Sequence, residues 1–259
     1  MNLVCVDLGN TTIHCGALAR GEFHYTRSLA TELFRRNPTA LTNLIEEIAK
    51  KERAPWEASF CSVVPALTTH LEDILEQQAE SVFQLTPESC SGLTISHPNP
   101  SEIGPDRLAN AIAAQVHHGT PSIVIDLGTA TTFDLVGSTS GYVGGIIAPG
   151  LALMTDYLAE RTALLPNMEP NLSVPDSLIG RSTEEAMQIG CSLGFRSMIE
   201  GILEGVRSEL ANHEKKDPLV IVTGGAAKEL TRTLQTNWTV DSLLTLRGLV
   251  EAKRRNGGH

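Results

Sequence analysis

Two stretches of the chain end an apolar run in an aspartate and follow it at once with glycine and small hydroxyl residues. Residues 3–18 read LVCVDLGNTTIHCGAL, so Asp7 is trailed by Leu8, Gly9, Asn10, Thr11 and Thr12. Residues 123–135 read IVIDLGTATTFDL, with Asp126 ahead of Thr129, Thr131, Thr132 and Asp134. A strand that ends this way turns sharply, and the N–H groups and hydroxyls of the turn converge on one point, which is the geometry of a phosphate cradle. A carboxylate does not bind phosphate directly, so the aspartate serves such a site through a bridging cation or water. One such turn taken alone fits an Asp-capped hairpin with a purely structural role better. Two of them, joined by a third glycine turn at Gly224 and Gly225, favour one polyphosphate held from both sides of a cleft.

The stretch HPNPSEIGPDRLANAIAAQ, residues 97–115, offers different chemistry. Pro105 suits the first turn of a helix whose apolar face is Leu108, Ala109, Ile112 and Val116. Asp106 and Arg107 then project from its N-terminus, where unpaired N–H groups favour an ionised carboxylate. Such a carboxylate can accept a proton from an attacking hydroxyl, and the arginine can pair with a carboxylate or a phosphate oxygen. Ordinary capping by Asp106 with a solvated Arg107 fits the same residues.

Alternating apolarity predicts strands over residues 2–7, 12–19, 58–64 and 81–85, and helices over 39–52 and 65–79, the second opened by Pro65. In the second half a strand over 122–126 returns through 131–137, the glycine-rich GYVGGIIAPG follows, and a helix runs from about 150 to 161. After a proline-rich loop at 164–176, Ser182 and Glu185 match an S-x-x-E capping box for a long helix reaching about residue 211. Gly190, Gly194, Gly201 and Gly205 fall on one stripe of that helix. Each costs about 1 kcal/mol against alanine inside a helix, so something approaches the stripe closely: the chain's own sheet, or the same helix of a second copy. A buried strand ending in the Gly-Gly turn over 218–227 and a helix over 246–255 close an α/β pattern with parallel connections.

With 259 residues, 41% of them hydrophobic and 19% charged, the chain has ample material for a core and no stretch polar enough for disorder. A net charge of −10 argues against a nucleic-acid partner, which needs a clustered basic face. The longest apolar runs are strand-sized and the N-terminus enters directly into a β pattern, so the protein is expected to avoid membranes and to be soluble and cytoplasmic. Cys5, Cys15, Cys61, Cys90 and Cys191 form no C-x-x-C pair, which predicts reduced, mostly buried thiols rather than a disulfide framework or a zinc site. The basic run AKRRNGGH is expected to be a solvated or frayed tail. Packing roles are expected for Trp56 and Trp238, a helix-dipole role for His117 and His118, and a solvated helix face for the EE and KK pairs at 46–51. No G-x-x-x-x-G-K-[ST], G-x-G-x-x-G after a strand, H-E-x-x-H or G-x-S-x-G occurs, which disfavours P-loop kinases and Rossmann dehydrogenases.

In order along nearly the whole chain stand DLGNTT, IGPDRLANA, IDLGTATTFD, GGIIAPG, RTALLP, IGRSTEEAMQIG and VTGGAA. Together they resemble the type III pantothenate kinases, within the actin-like ATPase and sugar kinase superfamily. The resemblance implies two duplicated actin-like (ribonuclease H-like) domains, 1–117 and 118–259, each a mixed sheet flanked by helices, with ATP in the cleft between them and adenosine at the Gly-Gly turn. It implies transfer of the ATP γ-phosphate to pantothenate, the first step of coenzyme A biosynthesis, by a homodimer using Mg²⁺ and a monovalent cation, K⁺ or NH₄⁺. Matched motif by motif, it implies Asp106 as proton acceptor for the pantothenate hydroxyl and Gly104, Pro105 and Arg107 as the substrate loop. It puts Asp7, Leu8, Gly9, Asn10, Thr11 and Thr12 along the ATP phosphates, Thr129 on ATP and Asp126 on the monovalent cation. Thr183 would touch pantothenate across the subunit interface.

One position departs from the pattern. Seven residues before Gly104 the family commonly has a tyrosine facing the pantothenate site, and this chain has His97. An imidazole can donate the same kind of hydrogen bond, with a charge that responds to pH near neutrality; a tolerated substitution or an exposed loop residue fits the position too. Two further readings stand beside the kinase: a kinase-like regulator without catalysis, and a small-molecule kinase of the same fold with another substrate. Intact Asp7, Asp106, Arg107 and Asp126 weigh against the regulator.

Overall fold

The computed structural model describes residues 2–50 and 55–257. The chain forms two compact units, one of Met1–His118 with Leu243–His259, the other of Gly119–Ser242.

In the first unit, strands β1 (Leu3–Leu8), β2 (Thr12–Ala19), β3 (Glu22–Ala30), β4 (Glu57–Ser62) and β5 (Val82–Gln84) lie in the order β3-β2-β1-β4-β5. The first three form an antiparallel meander, and β4 and β5 add to β1 in parallel. β1 is apolar almost throughout because both its faces are covered. Val4, Val6 and Leu8 pack with Leu41, Ile45 and Ile48 of α2 (Pro38–Lys50) and Leu67 and Leu71 of α3 (Pro65–Glu76). The opposite face lies under α4 (Pro105–Ala113) and α8 (Leu244–Asn256), where Ser59 Oγ donates to the Leu249 carbonyl at 2.9 Å. Trp56 joins the core, as its packing role requires.

Three features of this unit depart from the sequence pattern. β3 and the short α1 (Thr31–Arg36) were not foreseen, since an edge strand reading EFHYTRSLA keeps most side chains in solvent and its alternation of Phe23, Tyr25 and Leu29 is interrupted by Arg27. α4 continues into a π turn, Ala114–His118, whose extra residue per turn rotates Val116 off the apolar face and leaves it 44% exposed. The expected solvated basic tail is instead the end of α8. Lys253 Nζ donates to Ser81 Oγ, Arg254 donates to the buried Glu251, and Arg255 reaches Gln115 Oε1 and the Ser91 carbonyl. Residues 51 and 52 of the helix expected over 39–52, Lys51 of the KK pair among them, and residues 258–259 of the tail lie outside the described residues.

The second unit repeats the sheet. Strands β6 (Ser122–Leu127), β7 (Ala130–Gly137), β8 (Gly141–Pro149), β9 (Leu219–Thr223) and β10 (Thr239–Val240) take the order β8-β7-β6-β9-β10, again a meander with two parallel additions. Ile123, Ile125 and Phe133 pack against Phe195, Ile199 and Leu203 of the long α6 (Thr183–Glu214), and Trp238 packs on the same core. Helices α5 (Leu151–Arg161) and α7 (Ala227–Leu234) complete the unit. The cap of α6 is as its sequence predicts: Ser182 Oγ accepts from Glu185 N–H at 3.1 Å, while the Glu185 carboxylate accepts from Arg181 N–H, one residue earlier than in the standard box. Among the described residues, a Cβ added at Gly190, Gly201 or Gly205 would meet nothing within 4 Å, and one at Gly194 only the Met154 methyl at 3.8 Å. The glycine stripe therefore does not serve packing on the chain's own sheet. No helix among the described residues is long and apolar enough to cross a membrane.

Candidate active site

Strand register positions the candidate residues of the first unit. Asp7 is the penultimate residue of β1, opposite His14 of β2 and Cys61 of β4. The chain then turns through Gly9, Asn10 and Thr11, closed by Gly9 N–H donating to the Thr12 carbonyl at 3.1 Å. A Cβ at Gly9 would stand 2.8 Å from that oxygen, so only glycine keeps this turn. Thr31, at the start of α1, clamps it from behind: Oγ1 donates to the Gly9 carbonyl at 2.7 Å and its N–H to the Thr11 carbonyl at 2.9 Å. Asn10 and Thr11 stay exposed.

Asp106 and Arg107 open α4 in the same unit, with Pro105 at the first position and Gly104 as N-cap. Asp106 Oδ1 accepts from Arg107 N–H at 2.8 Å. Burial pushes the Asp106 carboxyl above the ordinary carboxylate range, against the pull of the Arg107 N–H and guanidinium. Gly104 leaves room for that carboxylate, since a Cβ there would lie 2.5 Å from Oδ1. Cys61 lies beside Asp7: its buried thiol donates to Asp7 Oδ1 at 3.4 Å, and burial first, then the charges of Asp7 and Asp106, hold it well above an ordinary thiol pKa. On the other sheet face Cys15 is pushed up to about 12, by burial with Asp7 adding. All five cysteines are free thiols. His97 lies in the loop before α4, where its Nδ1 is 3.1 Å from Asn99 N–H and 3.0 Å from the Asn99 carbonyl, so the loop's own backbone holds the ring.

The second unit repeats the arrangement around Asp126, penultimate in β6, opposite Thr132 of β7 and Thr223 of β9. Its turn is shorter, Gly128 and Thr129, with Gly128 N–H donating to the Ala130 carbonyl at 3.2 Å. Two more glycine turns close on it. Gly150 N–H donates to the Thr129 carbonyl at 3.1 Å. Gly224, at φ +90°, packs so tightly that a Cβ would lie 2.6 Å from the Leu127 backbone, while Gly225 faces open space. Two residues of the motif do not belong to this end. Thr131 and Asp134 are wholly buried, and Asp134 takes hydrogen bonds from Tyr142 Oη at 3.0 Å and Thr132 Oγ1 at 3.2 Å, a structural role. Thr183 stands exposed at the first position of α6.

The first unit thus holds Asp7 to Thr12, His97 and Gly104 to Arg107, and the second holds Asp126, Thr129 and Thr183. Thr31, Cys61 and Gly150 were not singled out in advance. Thr31 and Cys61 act through strand pairing and a clamp between distant segments, which leave no local motif, whereas the GGIIAPG stretch did carry Gly150.

A five-strand sheet present twice, with a glycine turn after its central strand each time, defines the actin-like ATPase and sugar kinase fold. A solved protein assigned as a 2-dehydro-3-deoxygalactonokinase, from Sinorhizobium meliloti, shares that fold: the TM-score is 0.61 at 12% identity, covering 99% of this chain and 97% of the other. The family model for type III pantothenate kinase matches residues 3–205, and the chain belongs to that family. Over 248 residues it is 37% identical to the type III pantothenate kinase of Methylacidiphilum infernorum, covering 95% of this chain and 86% of the relative. Over 192 residues it is 42% identical to the type III pantothenate kinase of Akkermansia muciniphila, covering 74% and 76%.

Proposed function

We infer that this family member is a pantothenate kinase, transferring the ATP γ-phosphate to the hydroxyl of pantothenate to give 4'-phosphopantothenate, the first step of coenzyme A biosynthesis. The observation that carries the site assignment is the Asp106 carboxylate, partly buried at the start of α4, aligned by Arg107 N–H and given space by Gly104. In the reaction the pantothenate hydroxyl oxygen bonds to the γ-phosphorus, the bond from that phosphorus to ADP breaks, and the hydroxyl proton passes to Asp106. A carboxyl lifted above its ordinary range is a better proton acceptor near neutral pH. Arg107 orients the substrate through its own carboxylate or a phosphate oxygen, with Pro105 and His97 shaping the loop.

The turns of residues 7–12 and Thr129 receive the ATP phosphates, for which exposed N–H groups and threonine hydroxyls are the suitable donors. Asp7 and Asp126 offer hard carboxylate oxygens, which fits Mg²⁺ brought with ATP at the first and a monovalent cation, K⁺ or NH₄⁺, at the second. These ions neutralise charge on the transferring group; the chain's own part is positioning and the proton.

A homodimer completes the reading. Three of the four stripe glycines of α6, Gly190, Gly201 and Gly205, have open space around a Cβ among the described residues, and the same unit exposes Ile147, Tyr157, Leu164 and Ile179, each more than 60% accessible. Thr183, on the same helix, is our candidate for a pantothenate contact across that interface. Buried reduced thiols fit a cytoplasmic enzyme. The test is ATP-dependent phosphorylation of pantothenate by the purified protein with Mg²⁺ and K⁺, beside Asp106→Asn. Turnover should fall by about 10²- to 10⁴-fold in the variant while ATP still binds; a variant as active as the parent removes Asp106 as the base.

A further inference from the structure

The Cys61 thiol belongs to no motif and reacts with nothing in the mechanism above. It is wholly buried, which disfavours it as a reactive or modified cysteine. Its position is nonetheless specific. Parallel pairing of β4 with β1 sets Cys61 in register with Asp7, on the sheet face covered by α4 and α8. Sγ lies 3.4 Å from Asp7 Oδ1, at ordinary hydrogen-bond length for sulfur, and the charge of Asp106 is felt at the same atom. A neutral donor here does two things that an apolar side chain cannot. It fixes one oxygen of the Asp7 carboxylate, and it stands near both acids without itself adding charge.

We propose that Cys61 is a positioning residue for nucleotide binding, its buried thiol holding the Asp7 carboxylate in the orientation that receives Mg²⁺·ATP. This rests on the reading of Asp7 as part of the ATP cradle. Cys61 touches no reacting atom and takes no proton. A single hydrogen bond of this kind corresponds to an affinity change of about threefold to tenfold, so loss of the thiol weakens nucleotide binding by that factor and leaves pantothenate binding alone. Serine keeps a donor at the same place and restores most of the affinity.

The experiment compares the parent with Cys61→Ala, Cys61→Val and Cys61→Ser. Binding of Mg²⁺ with a non-hydrolysable ATP analogue is measured by calorimetry, KM for ATP and for pantothenate by steady-state assay, and melting temperature alongside. The expected pattern is weaker nucleotide binding in the alanine and valine variants, binding within about twofold of the parent in the serine variant, and an unchanged pantothenate KM in all. Unchanged nucleotide binding in either apolar variant overturns the proposal, as does a serine variant no better than alanine, which would reduce Cys61 to packing. If one apolar variant does not fold, the other decides against serine. A parent that binds nucleotide but does not phosphorylate pantothenate would sink the kinase reading, while the calorimetry would still judge Cys61.

Discussion

Gly104→Ala tests the geometry of the proposed proton acceptor, Asp106, more sharply than removing it. Gly104 has φ −57° and ψ 132°, where any L-residue is comfortable, so alanine introduces no backbone strain. Its Cβ, however, would stand 2.5 Å from Asp106 Oδ1. A carbon–oxygen contact settles at about 3.3 Å, so the carboxylate must retreat by about 0.8 Å. A displacement near 1 Å in a reacting constellation costs about 10²-fold in rate, which puts the expected loss in kcat at about 30- to 100-fold. Fold stability should hold or rise, because Gly→Ala at a permissive position contributes about 0.4–1 kcal/mol by restricting the unfolded chain. The assay is kcat at saturating ATP and pantothenate, paired with a thermal melt. A kcat within about threefold of the parent would refute the claim that Gly104 exists to seat Asp106, since a shift of this size predicts far more. A fall in both kcat and melting temperature would mean that the loop itself failed, contrary to the backbone argument.

Four further outcomes follow from the same structure. A carboxyl raised by burial binds its proton more tightly folded than unfolded, so ionised Asp106 costs stability above its folded pKa; Asp106→Asn should melt higher than the parent at neutral pH, with the gap closing as pH falls through that pKa. By the same sign, the acid limb of kcat/KM should lie above the ordinary carboxylate value of about 4, and a limb at or below it would contradict the shift. Exchanging K⁺ for Na⁺ at equal ionic strength should slow turnover if Asp126 anchors a selective monovalent site, whereas equal rates would remove the selectivity. Gly201→Leu gains helix propensity of about 0.8 kcal/mol, and its Cβ meets nothing within 4 Å among the described residues, so it should stay folded while light scattering shows the proposed dimer falling to monomer mass; an unchanged mass would take α6 out of the proposed interface.

Much of the fold can be read locally. The two hairpins announce themselves because alternation and the Asp-Leu-Gly punctuation lie within a few residues, and the S-x-x-E signature marks the start of α6 to the residue. What escaped was nonlocal or compensated. β3 is an edge strand with a polar sequence, and the π turn after α4 is a one-residue change of pitch with no compositional mark. The end of α8 looked like a loose basic tail because its partners, Ser81, Ser91 and Gln115, are more than a hundred residues away in sequence. The candidate site divides in the same way. Asp7, Asp106 and Asp126 stood out by type and position, but nothing in a sequence says that Asp134, two residues past Thr132, turns inward to Tyr142. Nor does it say that Gly104 and Asp106 compete for the same space.

Repetition of the sheet also explains why two similar aspartates need not do the same work. Asp7 and Asp126 hold equivalent places, each penultimate in the central strand and each followed by a glycine turn. The backbone cradle is therefore present twice, and the difference lies in what the neighbouring strands set beside each carboxylate. Asp7 is paired with Cys61, whose sulfur is soft and serves here as a hydrogen donor, a poor ligand for an alkali cation. Asp126 is paired with Thr132, whose hydroxyl donates to Asp134, and with Thr223, and hydroxyl oxygens are of the hard type that such a cation prefers. On our proposed reading of the site, this register fits the monovalent ion to Asp126 rather than Asp7, and leaves Asp7, hydrogen-bonded by a thiol, for the metal that arrives with the nucleotide.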